Sequence, residues 1–330
     1  MTGAVDSSVT TILTRAAGRA ALAPSVHNTQ PWRFVVTRDA LEIRSDLRRR
    51  LKVLDPRARQ LTISCGCAVF NARAAIAAAG FEPTVARFPD PSSPDLLARI
   101  SLGEARDWVP IGALDAVIDE RRTNRRAFAD EPVPDEVIHD LVGAARSEGS
   151  YLIPITSPEH RGAVAELSRL ADRIQASDHA YLAELREWTT DDPRRGDGVQ
   201  VASVPYAGPL SDAHDAVPIR PFDVRGMGWL PASSGSDANQ CLLLLAAVAD
   251  DTESWLRTGE ALERIWLDLT RLGYAASPLT QAVEVAQTHE RLRTALQLAL
   301  QPEILLRVGR APHAVRTPRL DSNEVITSAV

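Results

Sequence analysis

The stretch PSVHNTQPWRF (residues 24–34) separates two kinds of predicted secondary structure. Before it, residues 8–22 repeat apolar side chains at helical spacing, and Pro24 is placed to end the helix. After the turn, residues 32–37 and 41–45 have the residue pattern of two short strands joined as a hairpin. A helix followed directly by a hairpin already favours a mixed α and β fold.

The turn itself is the first candidate for a functional site. It concentrates hydrogen-bonding side chains, among them Ser25, His27 and Asn28. A loop of this kind can present donors and acceptors to the edge of a planar heterocycle. The alternative is that the polar side chains only satisfy the turn, while Trp32 and Phe34 fill the core.

The rest of the chain alternates helices and strands without a βαβ dinucleotide fingerprint, which predicts an α+β fold. Residues 191–237 differ, since they are rich in Pro, Gly, Ser and Asp and show no periodic element. A segment of that length is usually a functional loop or disordered, and its apolar Pro221, Phe222, Met227 and Trp229 favour a lid. The other predicted elements are helices over 60–79, 112–122, 134–147, 158–188 and between Asp251 and Gly273, and strands over 84–88, 96–102, 151–156, 241–249 and 304–308.

Composition excludes several classes of function. A net charge of -6 gives no basic field for nucleic acid, and Lys52 is the only lysine, so a phosphate-loop NTPase and Schiff-base chemistry are disfavoured. Three cysteines without a Cys-x-x-Cys pair fit a reducing compartment. The longest purely apolar run, residues 241–249, is far shorter than the roughly 18 residues of a membrane helix. We therefore expect a cytoplasmic protein with no membrane or nucleic-acid partner.

A second candidate site is the charged segment that follows the predicted helix 112–122. It contains four arginines in six residues, Arg121, Arg122, Arg125 and Arg126. Guanidinium groups that converge at a helix end can bind a phosphate through bidentate hydrogen bonds. The alternative is a solvated face in which these arginines pair with the neighbouring Asp119, Glu120, Asp130 and Glu131.

Both segments resemble the FMN-dependent nitroreductase family. Residues 24–34 are similar to its Pro-Ser-x-x-Asn-x-Gln-Pro-Trp turn, and residues 122–128 to its Arg-x-Ser-x-Arg/Lys-x-Phe motif, although here the two occur in reversed order. Residues 255–262, 273–278 and 306–309 resemble the family's later helix, flavin-facing loop and last strand. The resemblance is greatest to the dormancy-associated actinobacterial branch, in which two nitroreductase-like halves are fused in one chain.

This resemblance implies a single-chain pseudo-dimer of two similar halves, with central antiparallel sheets flanked by helices. The halves would be residues 1–110 and 111–330, and residues 191–237 would form a lid in the second. A fused chain would need no partner for its flavin, so we expect a monomer or a weak homodimer.

The resemblance also implies which residues bind FMN. Pro24 and Ser25 would lie on the flavin ring, and Asn28 would shape their turn. Arg122 and Arg126 would hold the phosphate and ribityl end, with Asn124 where the family usually has Ser. The remaining implied contacts are Arg316 and Arg319 at the phosphate, and Thr280 and Gln281 in the loop that brings backbone amides near flavin N5.

The implied activity is NAD(P)H-dependent reduction of nitroaromatics or quinones through flavin N5. No protein nucleophile and no metal are needed, because the flavin carries the electrons. A second hypothesis is a non-catalytic flavin storage protein, in which the predicted lid covers the FMN. A third is a relative that has lost flavin and acts through partners.

Overall fold

The computed structural model describes most of the chain. The described residues are 2–126, 128–204, 217, 220, 222, 241–312 and 314–329, without the side chains of 2–7 and 202. Much of the predicted lid therefore lies outside the described residues, including Pro221, Met227 and Trp229; Phe222 is described.

The elements alternate as the sequence predicts. The helices are α1 Thr2–Ala20, α2 Arg59–Ala78, α3 Asp135–Ser147, α4 Pro158–Ser177, α5 His179–Glu187, α6 Thr252–Arg271, α7 Gln281–Glu284, α8 Ala286–Ala295 and α9 Ser322–Val325, with short 3-10 helices at Val26–Asn28, Leu47–Arg49, Pro110–Val117 and Val201–Ser203. The strands are β1 Trp32–Val36, β2 Ala40–Ser45, β3 Phe81–Arg87, β4 Leu96–Ala105, β5 Tyr151–Pro154, β6 Thr189–Thr190, β7 Val199–Gln200, β8 Cys241–Ala247, β9 Ala275–Leu279, β10 Gln301–Gly309 and β11 Ile326–Ser328.

Two main sheets carry the described strands, and the predicted α+β class is confirmed. The first has the order β11-β1-β2-β4-β3, and the second β5-β8-β10-β9. Within these two sheets neighbouring strands are antiparallel except for β1 and β11, which run parallel. The short strands β6 and β7 form a separate parallel pair. The tail of the chain thus adds an edge strand to the sheet built by its first hundred residues.

Three predicted elements differ in the structure. The helix predicted over 158–188 is two helices, because Asp178 has extended backbone and its carboxylate accepts hydrogen bonds from the first amides of α5. The predicted helix over 112–122 is a 3-10 helix that begins at Pro110 and ends at Val117. The strand predicted over 304–308 is β10, and β11 still follows it.

The centre of the molecule is the crossing of α2 and α6. An added Cβ on Gly66 would lie 2.1 Å from the Leu256 carbonyl oxygen, and one on Gly259 would lie 2.0 Å from the Ile63 carbonyl oxygen. The two backbones are therefore in direct contact, which only glycine permits. Helix α2 is long and apolar enough to span a bilayer, but 89% of its apolar window is buried inside the fold.

We predict that Gly66→Ala or Gly259→Ala lowers the free energy of unfolding by about 3 kcal/mol or more, because the new methyl group meets backbone that cannot move aside. Chemical denaturation followed by circular dichroism measures this. Gly143→Ala is the matched control, since it lies in α3 with nothing within 4 Å of the added Cβ. Equal stability of all three variants would show that the helices do not depend on this contact.

Candidate functional site

Two adjoining cavities lie beside the helix crossing. The basic cavity contains about 540 Å³ of empty space and the apolar cavity about 790 Å³, counted with the open solvent at their mouths. The residues that line both cavities are Pro24, Ser25, Thr123 and Arg125. The predicted turn and the predicted arginine segment therefore meet in space at one continuous site.

The turn is held in a strained backbone conformation. His27, Asn28 and Gln30 all have positive φ, between 47° and 55°, which is uncommon for residues other than glycine. Within the turn, the Gln30 amide donates to Ser25 Oγ at 2.9 Å. From outside, Gln30 Nε2 donates to the Gly196 carbonyl and Gln30 Oε1 accepts from the Leu320 amide, both at 2.9 Å. These contacts hold the turn from two distant parts of the chain.

The basic cavity has a strong excess of positive charge. Its lining contains five arginines, Arg121, Arg122, Arg125, Arg316 and Arg319, and in the part of the chain that the structure describes one acid, Asp119. Arg121 also pairs with the buried Glu263 behind the cavity, with 3.3 Å between Nε and Oε1. Guanidinium groups arranged in this way form a site for a phosphate or another compact anion.

Arg319 contributes charge and also fixes the turn. Its terminal nitrogens donate to Asn28 Oδ1 at 3.1 Å and to the carbonyl oxygens of Leu22 and Ala23 at 3.0 Å. All of these acceptors are neutral. Burial, together with the nearby charge of Arg121, lowers the pKa of Arg319 to about 9. A desolvated guanidinium bonded to neutral groups gains stability when an anion enters the cavity.

Between residues 123 and 126, the arginine segment presents alternate side chains to the cavities. Thr123 forms a parallel bridge with Ala276, and Thr123 and Arg125 line both cavities. Asn124 and Arg126 line neither of them. Asn124 is buried and bonds the amide and carbonyl of Arg126, both at 3.1 Å, while the Arg126 side chain is exposed. An extended chain reverses its side chains at each residue, so Thr123 and Arg125 face the cavities while Asn124 and Arg126 do not. The role of Asn124 and Arg126 in binding FMN stays a prediction.

The other predicted contacts are divided between the two cavities. Asn28, Arg122, Arg316 and Arg319 line the basic cavity, and Thr280 and Gln281 line the apolar cavity. The segment predicted as the flavin-facing loop forms the strand β9, followed by Thr280 at the start of α7. The residues that the sequence did not reveal are walls of the apolar cavity from α2, α6 and β10: Gln60, Ile63, Cys67, Leu262, Trp266 and Ile304.

Arg220 and Phe222 close the apolar cavity on the side of the predicted lid. The Arg220 guanidinium is buried and donates to Glu284 Oε2 at 2.5 Å, to Thr280 Oγ1 at 3.2 Å and to the Tyr181 hydroxyl. Phe222 is buried and packs edge-on against His27, with ring centroids 5.7 Å apart. These two side chains thus contact α5, α7 and the turn.

His27 is neutral in this setting. Burial and the positive charges of Arg220 and Arg125 lower the pKa of His27 to about 3. An unfolded imidazole has its pKa near 6.5, so on acidification the unfolded chain binds a proton that the folded chain does not. The contribution of His27 to stability is therefore complete above pH 6.5 and decreases as the pH falls towards 3.

We predict that the unfolding free energy of the protein falls more steeply below pH 6.5 than that of His27→Asn, by about 1.4 kcal/mol per pH unit. Asparagine tolerates the positive φ at this position. Urea denaturation at pH 6.5 and pH 5 measures the difference. His179→Asn, at an exposed position, should retain the steeper dependence. Identical slopes for all three proteins would mean that the folded His27 titrates normally.

Comparison with known proteins shows which family this chain resembles. The model of the nitroreductase family matches residues 118–310. The "Putative NAD(P)H nitroreductase Rv3131" of Mycobacterium tuberculosis is 35% identical over 314 residues, which is 92% of this chain and 88% of that protein. The "Putative NAD(P)H nitroreductase acg" of the same organism is 32% identical over 330 residues, with 97% of each chain covered.

Solved structures of nitroreductases have lower sequence identity to this chain. An FMN-bound nitroreductase from Desulfitobacterium hafniense has a TM-score of 0.40 and 16% identity, covering 65% of this chain and 96% of that one. The nitroreductase NfnB from Mycobacterium smegmatis, solved with NADPH, has a TM-score of 0.38 and 18% identity, covering 64% and 96%.

Proposed function

Because this chain belongs to the nitroreductase family, we propose that it is an FMN-dependent NAD(P)H oxidoreductase whose flavin occupies the two adjoining cavities. Nitroaromatics or quinones are the proposed electron acceptors. The family match also confirms the nitroreductase-like α+β fold predicted from the sequence.

The paired shape and chemistry of the two cavities carry this proposal. FMN has an anionic phosphate at one end and a largely apolar tricyclic ring at the other. The basic cavity has the charge that a phosphate requires, and the apolar cavity has walls such as Ile63, Leu262 and Trp266 that suit the ring. Pro24 and Ser25 lie at the junction of the two cavities, where they would contact the flavin ring close to its ribityl chain.

When bound, FMN supplies the transfer of electrons from NAD(P)H to the acceptor. The protein residues bind the cofactor, orient it and limit its contact with water. Arg122, Arg316 and Arg319 would hold the phosphate, while Arg125 extends between the two cavities. These residues need not include a general base or a protein nucleophile, because the flavin carries the electrons.

We also propose that the chain is a fused pseudo-dimer with halves at 1–110 and 111–330. Both cavities are lined by residues from each side of this boundary, such as Ser25 and Thr123. The crossing of α2 with α6 joins the halves by backbone contact, and β11 adds a strand from the tail to the first sheet. A monomer would then contain a complete cofactor site.

We propose further that the chain belongs to the dormancy-associated actinobacterial branch of the family. The similarity to two mycobacterial proteins supports this assignment.

We predict that Arg125→Gln weakens FMN binding at least tenfold, because a desolvated cation that lines both cavities is lost. Arg126→Gln is the matched control, since its exposed side chain lies outside both linings, and it should bind FMN within twofold of the unchanged protein. Fluorescence titration of the apoprotein measures both. The reverse order of effects would favour Arg126, which the resemblance implies, over Arg125 as the cofactor ligand.

Flavin storage is the second candidate function, and the position of Phe222 favours it. Phe222 and Arg220 line the cavity proposed for the flavin ring, and Arg220 is anchored by a buried ion pair with Glu284. A nicotinamide or a nitroaromatic must stack on the ring, so a side chain held in that space slows or prevents turnover. These contacts support the predicted lid at 191–237 as a cover for the cofactor.

Stopped-flow reduction of the FMN-loaded protein by NADPH separates the two functions. If the protein stores flavin, we predict slow reduction of the intact chain and at least a tenfold increase in Phe222→Ala, because the access to the ring is opened. Phe81→Ala, on β3 and outside both cavities, controls for the loss of a phenyl ring. Rapid reduction of the intact chain would reject storage and leave the oxidoreductase.

A further inference from the structure

Two polar side chains in the apolar cavity have unused hydrogen-bonding groups. Gln60 is 5% exposed, and its Nε2 has no hydrogen-bond partner among the described residues. His27 is 8% exposed, and neither of its ring nitrogens has a partner in the same described part of the chain. Both residues line the cavity. Buried polar groups of this kind are normally paired, so their partner is expected to be a ligand.

A single serine fixes the positions of the two side chains. Ser64 Oγ accepts a hydrogen bond from the Val26 amide at 3.1 Å and donates to the Gln60 carbonyl at 2.7 Å. Val26 precedes His27 in the turn, and Gln60 lies one helical turn before Ser64 in α2. The turn and the start of α2 are therefore joined by this hydroxyl, and the two unpaired groups belong to one rigid wall.

The chemistry of this wall defines the ligand edge that it can bind. The Gln60 amide nitrogen is a donor and requires an acceptor. A neutral imidazole has one donor nitrogen and one acceptor nitrogen that point in different directions, so a ligand edge meets only one of them, and the acceptor nitrogen of His27 requires a donor. A ring imide offers these groups side by side, since two carbonyl oxygens flank one N–H. The flavin ring carries such an imide at C2, N3 and C4.

We propose that Gln60 and His27 are positioning residues that bind the imide edge of the flavin ring and so set its orientation in the apolar cavity. This inference rests on the proposed function, because it assumes that FMN is the ligand. It adds specificity to that function: the wall rejects a planar ring that lacks the imide, since Gln60 and His27 would then be buried without partners.

Binding titrations of the full-length apoprotein with FMN and with 3-methyl-FMN test the proposal without measuring turnover. The methyl group removes the N3–H donor and leaves the phosphate unchanged. We expect 3-methyl-FMN to bind the unchanged protein at least tenfold more weakly than FMN. Gln60→Met and His27→Asn should each weaken FMN binding about tenfold, and His27→Asn should also reduce the preference for FMN over 3-methyl-FMN.

The controls are Gln287→Met in α8 and His179→Asn in α5, both exposed and outside the cavities, which should bind FMN as the unchanged protein does. Circular dichroism and thermal unfolding establish that each variant folds. If the variants do not fold, the comparison of the two flavins on the unchanged protein decides the question alone, and equal affinities overturn the proposal.

The outcomes separate this inference from the proposed function. Normal FMN affinity in both variants would overturn the imide contact while the FMN site stands. A loss of NADPH binding in Gln60→Met at normal FMN affinity would assign the wall to the nicotinamide carboxamide and also overturn the proposal. Failure of the unchanged protein to bind FMN would overturn the proposed function as well.

Discussion

The contact between Gly66 and Gly259 is the constraint on which the rest of the structure depends. At this point α2 and α6 approach so closely that backbone atoms of one helix meet backbone atoms of the other. The approach fixes the distance between Ile63 and Cys67 on α2 and Leu262 and Trp266 on α6, which are facing walls of the apolar cavity. A larger residue at the crossing would change the width of the proposed flavin site as well as the stability of the core.

The charge of the site follows from where its arginines are placed relative to acids. Some buried guanidinium groups outside the cavity are matched by acids, as where Glu260 pairs with both Arg73 and Arg87. In the basic cavity Arg125 and Arg319 are desolvated, and burial lowers the pKa of each. A buried charge without an opposite charge beside it is unfavourable unless an anion neutralises it. The basic cavity therefore suits a phosphate better than arginines that are already paired with acids.

Most of the long helices and strands could be predicted from the sequence because each depends on local patterns. Apolar periodicity and end signals such as Asp251, Gly80 and Gly273 predict α2 and α6 close to their observed bounds. The break at Asp178 and the late strand β11 could not be predicted in this way. Asp178 stops one helix by capping the next, and β11 is a strand only because β1 is available to pair with it.

The sequence by itself determined the fold class and the two segments of the site, since the turn at 24–34 and the arginine segment carry recognisable residue types at fixed spacing. Only the tertiary structure decided which arginines face the two cavities. Arg125 lines both cavities and Arg126 faces solvent, because the extended backbone at Thr123 pairs with Ala276 and this pairing sets the direction of each side chain. Gln60 belongs to the site for a similar reason: α2 meets the turn through a hydrogen bond between residues far apart in the chain, which no local pattern records.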